Sequence, residues 1–254
     1  MAVAALIWSL TFVIPFRTVQ AKPEMRWDTI AVVFSFVLTI VIFELLDRSA
    51  DWVAPRMAAW HSEADTWPWW SLLIGYLILA DFGAYWAHRL LHTRVLWSTH
   101  AFHHSARHLN VLAGLRASPV HLAMFLAPPM IAFWVFPFPE FGAIGLAVFL
   151  LQIVNQHYLH SNIRFPMQRI LEKALVTPRM HFVHHSANRQ FSDSNFGFVL
   201  SVWDHLFGTF TDPDTVPADD ALGLGDDYSR WRMLFGIPPS APRETDPASI
   251  PGGD

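Results

Sequence analysis

Apolar positions in this chain come in five long runs, at about Ala2–Phe16, Ile30–Leu46, Trp69–Ala87, Val120–Phe136 and Phe141–Gln156. Polar residues, prolines and histidines collect between them. Several runs hold only about 15 to 18 residues, at or below the ~20 that cross a hydrocarbon core, so tilt, short hairpins and partial insertion belong to the expectation. The last two are joined by Phe136-Pro137-Phe138-Pro139-Glu140 and predict a helical hairpin that dips in and returns. The first run lacks a basic flank and a small-residue cleavage site, so it does not read as a removed signal peptide. The predicted fold class is all-α: a polytopic membrane helical protein carrying a cytoplasmic, histidine-rich helical cap.

Composition agrees. Of 254 residues, 53% are hydrophobic and only 15% charged, unusual for a soluble domain of this size. A net charge of −4 points to no nucleic-acid partner, and the absence of cysteine excludes disulfides, zinc ribbons and iron–sulfur clusters while leaving the redox compartment undetermined.

The basic residues orient the layout, because cytoplasmic loops are enriched in Lys and Arg. With the N-terminus outside, Arg17, Lys22, Arg26, Arg89, Arg94, Arg107, Arg116 and every basic residue from Arg164 to Arg243 fall inside; only Arg48 and Arg56 fall outside. Every histidine group then lies on the cytoplasmic side, and Trp67, Trp69 and Trp70 suit an aromatic belt at the opposite interface. From about Thr211 the composition turns to Pro, Asp, Gly and Ser. This divides the chain into a membrane-embedded domain over 1–210 and a cytoplasmic C-terminal tail over 211–254, flexible from Pro238 onward.

The candidate chemistry is in the histidines. The sequence reads H-x-x-x-H at His88 and His92, H-x-x-H-H at His100, His103 and His104, and H-x-x-H-H again at His181, His184 and His185, with His160 apart. Residues three and four apart share a helical face, so each group can aim its rings at a common point. Eight or nine convergent imidazoles are too many for one ion, and two metals are the natural count. Imidazole suits zinc, copper, iron and nickel alike. His61, His108, His121 and His205 read as surface or hydrogen-bonded structural residues, and Arg116 and Arg179 as topology or lipid-headgroup contacts.

Three further stretches complete a pattern: Asp81-Phe-Gly-Ala-Tyr85-Trp-Ala-His88 before the first group, Asp193-Ser194-Asn195-Phe196-Gly197 after the last, and Trp203-Asp204-His205-Leu206-Phe207-Gly208-Thr209. With Leu96-Trp97-Ser-Thr-His100, His160-Ser161-Asn162 and Thr177-Pro178-Arg-Met-His181, they make the chain resemble the fatty acid hydroxylase and sterol desaturase superfamily over about residues 30–210. The resemblance implies two metal ions, normally taken as diiron with zinc possible, that activate dioxygen with electrons from a separate donor protein. It implies oxidation of a C–H bond of a hydrophobic lipid substrate in the bilayer, by hydroxylation or desaturation.

The same resemblance makes His88, His92, His100, His103, His104, His160, His181, His184 and His185 the metal ligands. Asp81 and Asn195 become candidates for bonding the ligands' other ring nitrogens. One departure stands out: some members carry H-x-x-x-H in the third block, whereas Gln156 lies four before His160 and His157 three before it, leaving His157's role open. The competing reading is a membrane zinc-dependent lipid hydrolase, but no H-E-x-x-H is present. Metal transport would need ligands at mid-span, where only the acids Glu44 and Asp81 interrupt the apolar runs.

Overall fold

The structure is a computed structural model and describes residues 24–136, 141–164, 166–217, 219–225 and 228–238, with Leu6 and Pro15. Nearly all of the first apolar run, residues 137–140 of the predicted hairpin turn, and the chain beyond 238 lie outside the described residues. Regular structure among the described residues is helical, with two isolated bridges and no strand. The helices are α1 Met25–Ala64, α2 Trp69–Leu91, α3 Trp97–His100, α4 Pro119–Val135, α5 Phe141–Leu159, α6 Gln168–Leu171, α7 Pro178–His184, α8 Arg189–Ser192, α9 Val202–Phe207 and α10 Arg230–Leu234.

Two of these are long and apolar enough to cross a membrane: the Met25–Leu45 part of α1, with 21 residues, and α2, with 23. Val33, Phe36, Val37, Ile40 and Leu45 all lie exposed on α1, as do Ile74 and Ile78 on α2. An uncovered apolar stripe of this kind is costly in water and costs nothing in lipid. Trp67, Trp69 and Trp70 are exposed at the N-terminal end of α2, whereas His88 and His92 are at its other end, roughly 28 Å away at 1.5 Å per residue.

Packing begins where α2 meets α4. The crossing is close because its contact points on α2 are glycines: a Cβ on Gly75 would stand 2.7 Å from the Phe136 ring, and one on Gly83 would stand 2.8 Å from Pro128. Leu72, Tyr76 and Ala80 of α2, Ala132 of α4, Val148 of α5 and Ala64 of α1 are buried together beside it. His61 belongs to this joint as an anchor, its Nε2 being 2.7 Å from the Trp134 carbonyl.

The composition change at Thr211 does not mark where packing stops. Met233 and Leu234 of α10 are buried with Ala31, Ala101 and Phe102, Trp231 meets Trp27 edge-on at 5.0 Å, and Phe235 meets Phe34 at 5.7 Å. A short apolar segment inside a polar region is enough to dock it onto α1.

Arg116 and Arg179 also depart from expectation. Arg116 is fully buried, 2.6 Å from Asp28 and 3.1 Å from Glu24, with Ser105 Oγ at 3.0 Å. Arg179 pairs with Glu172 and Asp214, each at 2.7 Å. Neither reaches for a lipid headgroup. A buried charge must be matched by another, and Asp28, wholly buried in the first turn of α1, is the match for Arg116. Asp28→Ala would strand that guanidinium and is expected to destabilise the fold by about 3–5 kcal/mol, read as a lower thermal midpoint in detergent; a midpoint equal to wild type would show that Glu24 alone suffices.

Candidate metal centre

The nine histidines singled out by spacing come together in space, all of them buried, in two adjoining groups. His88, His92, His100, His104 and His184 form one; His103, His160, His181 and His185 form the other. Within each group one ring nitrogen per residue lies within 4.8 Å of all the others. The groups share a wall, with the His104 and His185 rings stacked at 4.4 Å and His100 and His103 at 5.0 Å.

The partition differs from the expectation that each sequence group serves one point. Residues four apart on a helix are about 40° apart around it and residues three apart about 60° the other way. So the four-apart pairs His88/His92, His100/His104 and His181/His185 each stay within one group, while His103 and His184 turn to the other. Each H-x-x-H-H segment therefore straddles both groups. Thr177 caps the start of α7 by accepting from the Met180 N–H, and Pro178 fills its first turn, which sets the pitch of the last triplet.

In six of the nine rings the nitrogen facing away from the group has a partner, whereas Nδ1 of His181 and of His185 is buried without one. His88 Nδ1 lies 2.9 Å from the Phe196 carbonyl, His184 Nδ1 2.8 Å from that of Ser194, His103 Nδ1 3.3 Å from that of Arg116 and His160 Nδ1 2.9 Å from that of Gln156. A carbonyl only accepts, so each of these Nδ1 atoms carries the proton and each Nε2 presents a lone pair inward. His92 is fixed in the same way by the Asp193 carboxylate at 3.1 Å, and His100 Nδ1 is 3.1 Å from His121 Nδ1.

What the inward nitrogens meet is decisive for the donor set. In the first group the Nε2 atoms of His88, His92, His100, His104 and His184 are buried with no hydrogen-bond partner. In the second, His160 Nε2 lies 3.3 Å from His103 Nε2 and 2.9 Å from His181 Nε2, and His185 Nε2 lies 3.2 and 3.1 Å from His103 and His181. His103 and His160 have no proton left for that contact. Lone pairs crowded in a buried space repel one another unless a cation stands between them, so the residues present fit metal ions, one per group.

Electrostatics keep the rings neutral, as ligands must be. Burial first, then mutual repulsion, holds His103, His104, His181, His184 and His185 well below the ordinary histidine range. Burial brings His160 down to about 4. It also lowers His92, outweighing the opposite pull of Asp193.

The supporting residues are not those named from sequence. Asp81 accepts from the Val199 and Leu200 N–H groups and from Trp203 Nε1, at 2.8, 3.1 and 2.9 Å. It touches no histidine; it ties residues 199–203 to the helix that carries His88 and His92. Asn195 sits at φ 55° and hydrogen-bonds to Met180 and Thr211, shaping the turn that aims the Ser194 and Phe196 carbonyls. Asp204 accepts from the N–H groups of Phe196 and Gly197. The partner missed is Asp193, whose signal was its place at the head of the Asp193–Gly197 stretch. His157 joins neither group and lies 2.7 Å from the Val111 carbonyl.

A helical, cysteine-free chain with two adjoining sets of inward imidazole lone pairs at one end of a membrane-length helix belongs to the class of apolar proteins with polyhistidine metal centres. More narrowly, the chain belongs to the fatty acid hydroxylase family, whose profile matches residues 73–209. It is 34% identical over 149 residues to alkylglycerol monooxygenase of Xenopus tropicalis, covering 57% of this chain and 30% of that protein. Against ornithine lipid hydroxylase OlsE of Rhizobium tropici it is 32% identical over 177 residues, 68% of this chain and 52% of that one. Lathosterol oxidase of Homo sapiens is 24% identical over 209 residues, 80% and 65%. The chain thus spans a third to two thirds of the length of these relatives. No solved structure matches it.

Two outcomes follow. Asp193→Ala is expected to weaken metal binding by about 10–100-fold, read by chelator competition, whereas His157→Ala should leave it within about twofold of wild type; the reverse order would move His157 into the centre. The metal-free protein should lose stability as pH falls. Below about 6.5 the unfolded chain takes up protons that the buried rings refuse, so stability present above that pH declines beneath it. Thermal melts between about pH 5 and 8 measure the slope, and a flat profile would show that the rings are hydrated.

Proposed function

We propose that the chain is a multi-pass membrane oxygenase in which the nine histidines hold two metal ions, iron in the working enzyme. Dioxygen and electrons from a separate protein serve to hydroxylate or desaturate a C–H bond of a lipid-like substrate: a sterol, fatty acyl, sphingolipid or alkyl ether. The observation that supports this most strongly is the donor set, five and four inward imidazole nitrogens in adjoining groups with no carboxylate among them. Two irons so held would supply the reductive activation of dioxygen that oxidises unactivated C–H bonds. The relatives' names, which point to alkylglycerols, ornithine lipids and lathosterol, favour a lipid substrate.

The protein's own part is to orient and to exclude water. The outward Nδ1 bonds of His88, His92, His100, His103, His160 and His184 fix six of the nine rings before any ligand arrives, which limits the reorganisation needed at the centre. Aromatic rings cover part of it: Phe125 lies 5.4 Å from His88 and Phe196 lies 5.0 Å from His92. Such cover limits water at an oxidising site. Its position at the end of α2 supports a centre at the membrane surface, and the excess of arginine in the segments around it favours the cytoplasmic side.

A zinc-dependent lipid hydrolase is the competing reading. It needs a carboxylate free to act as base beside the metal. Asp193, the acid that touches the centre, is already engaged by His92 at 3.1 Å and Arg189 at 2.8 Å.

Elemental analysis with Mössbauer spectroscopy on iron-57-enriched protein is expected to find close to two coupled irons per chain. His184→Ala should lower that content and abolish dioxygen-dependent lipid oxidation, read as oxygen-18 incorporation or as a new double bond, while His108→Ala leaves both metal and oxidation nearly unchanged. Zinc persisting in iron-supplemented cells with hydrolytic activity would transfer the reading to the hydrolase, and no stoichiometric metal would overturn both.

A further inference from the structure

One cavity opens onto the centre. It has a volume of about 180 Å³; His92 and His104 of the first group and Trp97 line it, together with Arg94, Arg189 and Asp193. At about 30 Å³ per water, the space holds roughly six waters. It can take a phosphate or carboxylate with a few bonded atoms.

The charges in this lining are not equally available. Asp193 is taken up by His92 and Arg189. Arg94 is exposed and makes no hydrogen bond or ion pair among the described residues, so the uncommitted charge of the lining is its guanidinium. Arginine offers a planar fork of N–H donors matched to an oxyanion, and pairs with one more strongly than with a neutral group. Arg94 also follows His92 by two residues, just past the C-terminal end of the membrane-length helix α2. That is the level at which a lipid's phosphate or carboxylate stands.

We propose that this cavity is the subsite for the oxyanion of a lipid headgroup, phosphate or carboxylate, received by Arg94. The C–H bond that is oxidised then lies within a few bonds of the headgroup and not in mid-chain. The assignment rests on the oxygenase reading for its second half only; binding of the oxyanion stands without turnover.

The test uses the full chain in uncharged detergent, loaded with zinc so that no oxidation occurs, and titrates dihexanoylphosphatidic acid by calorimetry. It is expected to bind more tightly than dihexanoylglycerol, which has no oxyanion, and Arg94→Gln should weaken it about tenfold or more, with metal content and melting midpoint unchanged. Equal affinity for the two lipids, no effect of Arg94→Gln, or preference for a cationic lipid overturns the subsite. Inorganic phosphate binding as tightly as the lipid keeps the oxyanion site but overturns its assignment to a headgroup. In a second arm, iron-loaded protein with reductant and a polar-lipid extract is exposed to oxygen-18. Label on headgroup-proximal carbons supports the proposal and mid-chain label overturns its regiochemistry. Neither label nor a new double bond on any lipid counts against the oxygenase itself, and the calorimetry then decides the subsite alone.

Discussion

Everything else in this molecule answers to one constraint: nine imidazoles must be kept dry, neutral and facing inward. A neutral imidazole has one donor and one acceptor, so pointing the acceptor inward requires something outside to take the proton. For five of the nine, four backbone carbonyls and one carboxylate do so, those of Phe196, Ser194, Arg116 and Gln156, with Asp193. Three of the five come from the single stretch 193–196. The cost of assembling unpaired nitrogens in a buried space is met by the rest of the fold, and a bound cation would relieve it.

This explains why polar residues far from the centre are buried at all. Asp204 holds the N–H groups of Phe196 and Gly197, and a Cβ on Gly197 would stand 2.7 Å from the Leu200 carbonyl, so the loop closes tightly enough to aim its carbonyls. Asp81 pins the following residues to α2, tying the loop to the helix that carries two of the rings it orients. On the far side, the Asp28–Arg116 pair fixes the peptide whose carbonyl takes the His103 proton. A buried ion pair is a poor source of net stability, and its use here is better understood as placing one carbonyl.

Much of this was legible in the sequence, and what was not has a physical reason. Helices show in apolar runs, and metal-type histidines show in their spacing, because both depend on short-range periodicity. The division into groups did not follow from reading each motif alone, since the sign of the offset between residues three and four apart decides it. Asp81 was read as a ring partner because acids near metal histidines commonly are. Its real bonds, to residues 199–203, span more than a hundred positions and leave no local pattern. Arg116 and the docked segment around α10 misled for the same reason: a charge followed by nothing opposite in sequence looks solvated, and its partner Asp28 is 88 positions away.

The location of the centre narrows its chemistry as much as its ligands do. Rings at mid-span would have had to meet the middle of a lipid chain; rings at the last turn of α2 meet whatever part of a lipid stands at the surface. Phe125 and Phe196 pack against the cluster, and a small cavity that carries an uncommitted arginine opens beside His92 and His104. If the substrate is a lipid, as proposed, a site open toward charge would select it by its polar end. Members that keep the same nine histidines can then differ in substrate through the few residues around that opening, with the oxidising centre left untouched.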